Sequence, residues 1–517
     1  MKKIILLLFI FTSFLQSQNV IVNPGQSITV EETSSVTISG DLQNNGTVTL
    51  NSSEDEFSSI IVRGSSEGDI IYNRYVNHVG NNGWDLIGSP VDNLSISDFV
   101  SANTGALATN GSTYAIGYYD NSENSWTNYT SSSVGNTNFD LGKGYQMASA
   151  TGGSGLLSFI GKIATTDQEK PIQDYSDNSG TIWNLVSNPY PSYIYANNNA
   201  NSTHNILKAN IEDSANLHNS YAALYSYNPD GSYTIYNQLS EATYIAPGQG
   251  FMVASNNSSG GYLSLTEAMQ TTDGGDNSIF PVGDLTDDSF ELILKLFHGD
   301  TEIDYTRFYF SDGLTLGLDA GYDAGHFNQE ASLMSRLVEE DQGIGFIINA
   351  MGLESINNVV IPLVINQEVG QNFRINLDTF EMYADTNVYL EDNLQGTMTL
   401  LNDEDFELTP QNNLSEMGRF FIHFTADTFS IDEEASTNVL SVFKADQNNF
   451  ITIEGLALQS GETSVKLYNV IGMEVLSRNL NNNSNTQTIS TNGLASGVYI
   501  IQLKSGIYQL TKKLIIK

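Results

Sequence analysis

Apolar residues in this 517-residue chain come in short alternating runs, and stretches with a helical repeat are scarce. Alternation with a period of two places one side of a strand in a core and leaves the other wet. Val36-Thr37-Ile38, Val48-Thr49-Leu50, Ile60-Ile61-Val62 and Ile70-Ile71-Tyr72 follow one another at about ten to twelve residues, separated by turn-rich pieces such as Gly64-Ser65-Ser66. The expected class is all-β. There is no cysteine, so no disulfide can compensate for a small core and each module must bury enough of its own. The length suits three or four domains of ordinary size.

The organisation expected along the chain is as follows. Residues 1–17 read as a secretory signal peptide: Met1-Lys2-Lys3 is basic, residues 4–15 are apolar except Thr12 and Ser13, and Ser17 followed by Gln18 is the cleavage point. That run is too short for a permanent transmembrane helix, and no other run is long enough. Residues 18–76 form a ladder of short strands, either a solenoid-like stack or a meander. Asn45-Gly46 is a hairpin signal that supports the meander, while the short, repetitive pieces favour the stack.

Residues 77–165 and 166–269 read as duplicated β units. Gly83-Trp84-Asp85-Leu86-Ile87-Gly88-Ser89-Pro90 matches Ile182-Trp183-Asn184-Leu185-Val186-Ser187-Asn188-Pro189. Further on, Gly142-Lys143-Gly144-Tyr145 matches Gly248-Gln249-Gly250-Phe251, with an insertion in the second copy around residues 197–218. Residues 270–288 are an acidic linker. Residues 289–427 carry about eight alternating strands, as in an antiparallel β-sandwich or jelly roll. Residues 428–439 form a second linker.

In the final segment, residues 440–517, three motifs stand in order: VKLYNVIGMEV at 465–475, GLASGVYIIQL at 493–503 and TKKLIIK at 511–517. This pattern resembles the C-terminal sorting domain (type A) of proteins exported by the type IX secretion system. The resemblance implies an immunoglobulin-like β-sandwich recognised by the outer-membrane export machinery after Sec-dependent passage through the periplasm. It also implies delivery to the outer cell surface or the medium, commonly with removal of the tail. The motif residues are Tyr468, Gly472, Gly497, Tyr499, Lys512 and Lys513. Gly472 and Gly497 are expected at turns needing positive φ or close backbone approach, and Tyr499 and Leu503 in the core.

The formal charge of −39 is uneven. From Leu440 onward seven Lys/Arg outnumber four Asp/Glu, and the first 17 residues carry +2, which leaves −44 on residues 18–439. So acidic a chain does not bind nucleic acid, where affinity comes from neutralising phosphates. There is no HExxH, Walker A or Rossmann signature, and no thiol nucleophile. The GxSxG string at Gly64 to Gly68 lies between two short strands with no helix after it, so it is a turn and not a nucleophile elbow.

The 59 acidic residues offer many carboxylate pairs, none identified by spacing. Asp319 and Asp323, in a repeated Asp-Ala-Gly unit, are the candidate calcium ligands, although the full calcium-loop pattern is missing. No other cofactor is implied. Trp84 and Trp183 hold equivalent core positions, whereas Trp126, in a polar turn with Asn128 and Tyr129, is the candidate sugar contact. The expected function is an exported adhesive or carbohydrate-binding protein without catalysis, its partners being the type IX machinery and glycans or cell surfaces. The alternatives are a secreted polysaccharide-degrading enzyme using an unrecognised carboxylate pair, and a structural surface component.

Overall fold

The computed structural model describes residues 16–17, 19–80, 83–135, 137–228, 231–272, 274, 289–381, 386–415, 417–425, 441–444, 450–454, 456, 463–469, 473–481, 486–495, 497–505 and 508–516. They fall into two units, residues 1–287 with 320–322, and residues 288–319 with 323–517.

In the first unit the ladder is a three-sided solenoid. Val20–Val22 pairs in parallel with Leu42–Asn44, and that strand with Ser66–Glu67. Ser27–Val30, Thr47–Asn51 and Ile70–Tyr75 stack likewise, as do Gln16–Ser17, Ser35–Ile38 and Ser59–Val62. Asn45-Gly46 is thus a corner between two sides of a stack. Its glycine is required by space, because a Cβ on Gly46 would lie 2.4 Å from Gln26 O on the adjoining turn. Asn44 fastens the same corner, Nδ2 donating to Asp69 O at 2.6 Å and Oδ1 accepting from Gly46 N at 3.1 Å. Val22, Leu42, Leu50, Ile70 and Tyr72 fill the solenoid, and their cluster continues through Phe99, Met147 and Phe159. Ladder and following segment therefore share a core across the boundary expected near residue 76.

The next two segments have the same strand order. Asp85–Ile87, Tyr145–Met147, Thr113–Asp120 and Ser125–Thr130 pair in sequence, as do Trp183–Ser187, Gly250–Ala254, Leu224–Tyr227 and Tyr233–Tyr236. Registers agree too: Asp85 opposes Met147 where Asn184 opposes Val253. Each segment has a short helix with a side-chain cap. Ser95 accepts from Asp98 N ahead of Ile96–Ala102, and Asn205 from Lys208 N ahead of Ile206–Ile211.

The segments meet by exchanging edges. Gly88 N donates to Gly248 O at 2.7 Å, and Ser187 N to Gly142 O at 2.9 Å. Bridges between Ile87 and Gln249, and between Val186 and Lys143, repeat the exchange. Each side offers the same surface, as at a two-fold interface. Gln270–Thr271, at the start of the expected linker, forms a strand against Tyr193–Tyr195.

In the second unit Ser289–His298 lies between Thr301–Ser311 and Phe373–Glu381. Its alternation buries Leu292, Leu294 and Leu296 on one side. Among the described residues eleven strands join in one continuous sheet around a core that includes Leu294, Phe308, Ile361, Leu390 and Ile422. Alternation alone suggests antiparallel pairing throughout, yet Thr301–Ser311 and Phe346–Gly352 pair in parallel. Such a pair needs a long crossover, which residues 312–345 supply.

Residues 441–516 form two further sheets. Ser441–Lys444, Phe450–Glu454 and Thr486–Ser490 make one, and Glu474–Leu480, Thr463–Asn469, Gly497–Ser505 and Tyr508–Ile516 the other. Val465, Leu467, Ile453, Ile501 and Leu503 belong to a core cluster distinct from that of the eleven-stranded sheet. The chain is all-β and multidomain.

Candidate functional site

A cavity of about 260 Å³ opens in the first unit where a hairpin turn meets a strand pair. The hairpin is Thr113–Asp120 with Ser125–Thr130, closed where Asp120 pairs with Ser125. The hydroxyl and amide of Ser122 hold the Asp120 carboxyl below the usual carboxylate range. Its neighbour Asn121 reaches out of the turn, Nδ2 donating to Gln173 O at 3.0 Å and to Asn184 Oδ1 at 2.9 Å. The Asn184 amide is itself buried; Oδ1 accepts from Gln173 N at 3.0 Å, and Nδ2 donates to Gln173 O at 3.0 Å and Ile182 O at 2.8 Å.

The opposite wall is the pair Gln168–Ile172 with Gly261–Leu265, in which Pro171 faces Tyr262. Gly260 makes the approach turn at φ +88°, a conformation that suits glycine. Tyr262 is 54% exposed, and Tyr175, Ser259 and Gln173 complete the lining. The lining offers amides, a hydroxyl and aromatic faces, and no carboxylate, imidazole or ammonium. Such a set can hydrogen-bond and stack on a neutral polar ring. It holds no pair of carboxylates of the kind a glycoside hydrolase uses.

Trp126, on the hairpin that carries Asn121, is 40% exposed, with its ring 5.1 Å from that of Tyr119. Trp183 is buried with its ring 4.6 Å from Tyr225, and Trp84 packs half-buried against Ala108, Ala115 and Ala148. The Trp-containing motifs do bear on the site, through the next residue. Asp85 and Asn184 follow the two tryptophans, and both turn a buried side-chain oxygen to a backbone amide, Asn77 N at 2.7 Å and Gln173 N at 3.0 Å. A polar residue at the same place in two apolar motifs was the available signal, and Asn121, Gln173 and Tyr262 had none.

Asp319 and Asp323 are engaged by their own loop and by the strand Phe346–Gly352. Asp323 is fully buried, Oδ1 accepting from Ala350 N and Oδ2 from Asp319 N, each at 2.7 Å. Asp319 Oδ2 accepts from Thr315 N at 2.6 Å and from its hydroxyl at 3.0 Å. Among the described residues no group of three or more His, Asp or Glu is placed to hold a metal ion.

Burial pushes the Asp323 carboxyl up to about 8, against the two amides that favour its charged form. The folded state then holds the proton more tightly than the unfolded chain, whose value is near 3.8. This stabilisation is complete below about pH 4 and is lost as pH rises through about 8. The melting temperature of the wild type is expected to fall from pH 5 to pH 9 by more than that of Asp323→Ala, a variant less stable overall by about 1–3 kcal/mol. Parallel pH curves for the two proteins would refute the assignment.

The tail residues lie as follows. Tyr468 pairs with Ile500 beside a bulge at Leu467. Gly497 begins a strand at φ +155°, and Tyr499 is buried with its hydroxyl donating to Ala495 O at 2.8 Å. Leu503 is buried, and Lys512 and Lys513 stand on the last strand, Tyr508–Ile516. Ser17 is in the first short strand, while Gln18, Gly472 and residues 1–15 lie outside the described residues.

Residues 447–517 match the family described as the secretion system C-terminal sorting domain. The protein is therefore type IX cargo, delivered to the outer surface or the extracellular space. No helix among the described residues is long and apolar enough to cross a membrane. No curated protein matches the chain. Among solved structures, a DUF3244 family protein with an immunoglobulin-like β-sandwich fold from Bacteroides vulgatus is 16% identical over 15% of this chain and 84% of its own, at a TM-score of 0.14. The extracellular domain of a hybrid two-component system from B. thetaiotaomicron is 7% identical over 58% of this chain and 48% of its own, at a TM-score of 0.11. Residues 10–424 match the domain of unknown function DUF8693, and since that span is most of the sequence, the chain belongs to this family.

Proposed function

We propose that this protein is a surface-delivered carbohydrate-binding adhesin, and that the cavity beside Asn121, Asn184 and Tyr262 receives a neutral sugar. The observation that carries this reading is the lining: amides and aromatic faces without any carboxylate. The two segments of matching strand order read as an internal duplication, and the cavity lies where they meet, with Asn121 from the first and Asn184 and Tyr262 from the second. Trp126, on the hairpin bearing Asn121, extends the contact surface for a longer glycan.

A glycan array followed by titration of the full chain tests the proposal. Tyr262→Ala is expected to weaken binding of the selected glycan about tenfold, the effect of losing one stacked aromatic worth about 1.4 kcal/mol. Trp126→Ala is expected to act only on oligosaccharides. Reducing-sugar release should stay at background. Turnover abolished by one carboxylate substitution would favour a hydrolase, and inertness in both assays a structural role.

A further inference from the structure

The second unit contains a polar contact that neither core explains. Strand Asn387–Asp392 pairs with Phe420–Thr425, Glu391 opposite Phe421 and Tyr389 opposite His423. Leu390 and Ile422 turn into the core, so Glu391, Phe421 and His423 share the other side of this sheet. Glu391 Oε2 lies 2.9 Å from His423 Nε2, and Oε1 lies 3.3 Å from Lys512 Nζ on the last strand of the sorting domain. Lys512 Nζ stands 5.9 Å from the Phe421 ring. A second link joins the same two bodies, Asn393 Nδ2 donating to Val442 O at 3.2 Å.

The Lys512 side chain is only 15% exposed and that of Glu391 21%. Burial works to raise the Glu391 carboxyl, but His423 and Lys512 outweigh it and hold the group in its charged form. The strand bearing Lys512 ends its sheet. An end strand presents unpaired backbone to any partner that adds a strand, and lysine is a common guard on such edges. Here the guard is itself fastened. The two apolar clusters remain separate, so the contact is a polar one and not a shared core.

We propose that the eleven-stranded sheet clasps the terminal strand of the sorting domain through Glu391, holding the export signal against its own cargo until the outer-membrane machinery draws it away. The clasp is an interaction surface whose partner is the chain's own last strand. It does not depend on the carbohydrate reading.

Zero-length carbodiimide coupling of the full chain tests it, because an amide forms only where carboxylate and amine already touch. A cross-linked peptide joining Glu391 to Lys512 is expected. The Lys466–Glu474 pair, 2.9 Å apart within the sorting domain, is the internal control. Lys512→Arg should remove the first product and spare the second; the control product alone, in the wild type, would overturn the clasp. In hydrogen exchange, Glu391→Gln should speed the amides of Tyr508–Ile516 severalfold and leave Phe373–Glu381 unchanged. Identical exchange in variant and wild type would likewise overturn it.

Discussion

Deleting residues 440–517 is expected to leave a folded protein trapped in the periplasm, with surface signal reduced to background. Folding survives because the cores are closed separately. Val442 to Ile516 supply one cluster, and Leu292 to Phe424 supply the other. The identified links between them are polar, through Glu391 and Asn393, and neither apolar cluster contains a residue of the other. The truncated chain should therefore melt within a few degrees of the intact one, and the export loss cannot be ascribed to misfolding. Fractionation of a type IX-competent host, with surface labelling of both proteins, gives the answer. Truncated protein at the surface in normal amount would remove the tail's role, and so would a reporter that stays inside when residues 440–517 are fused to it.

The tail was legible because its motifs repeat features of a known exported class, and because Tyr499, Leu503 and the basic last strand follow simple alternation. The solenoid was half legible. Val36, Val48, Ile60 and Ile70 announce strands, but parallel stacking depends on which turn lies above which, and Asn45-Gly46 serves equally as a hairpin turn or a corner. The parallel pairing of Leu42–Asn44 with Val20–Val22, and of Thr47–Asn51 with Ser27–Val30, decides for the corner. Matching Trp motifs fixed the equivalence of Trp84 and Trp183 without disclosing that Gly88 and Gly248 exchange edges with Ser187 and Gly142, since that exchange lies between distant parts of the chain. The cavity was not legible at all. Asn121 and Tyr262 are ordinary turn and strand residues until folding brings them together. The parallel pairing of Thr301–Ser311 with Phe346–Gly352 was hidden for a similar reason, as alternation reports which side is buried and says nothing of strand direction.

Arg74 is the residue whose loss should cost the first unit most. It is 2% exposed and sits on the strand that ends the solenoid. Its guanidinium donates from Nε to Pro247 O at 2.9 Å, from Nη1 to Tyr75 O at 2.6 Å and from Nη2 to Gln249 Oε1 at 3.1 Å. The plane also lies 4.0 Å from the centre of the Phe57 ring. Burial pulls its pKa down, and the Asp85 carboxylate works to keep it charged.

Truncation would leave two buried acceptors and one half-buried one without their donor, and a void under Phe57. Pro247 and Gln249 flank Gly248, which accepts from Gly88 across the exchanged edges, so the solenoid and the joint between the two segments would loosen together. Arg74→Ala is expected to destabilise this unit by about 3–5 kcal/mol. Arg74→Lys should recover only part, because an ammonium lacks the planar fork and stacks poorly on phenylalanine. Denaturant unfolding of the full chain, followed as two transitions because the second unit lacks this contact, measures the effect. A shift in the first transition below about 1 kcal/mol, the size of an ordinary surface substitution, would mean that water takes the guanidinium's place and that the solenoid is held by its apolar stack alone.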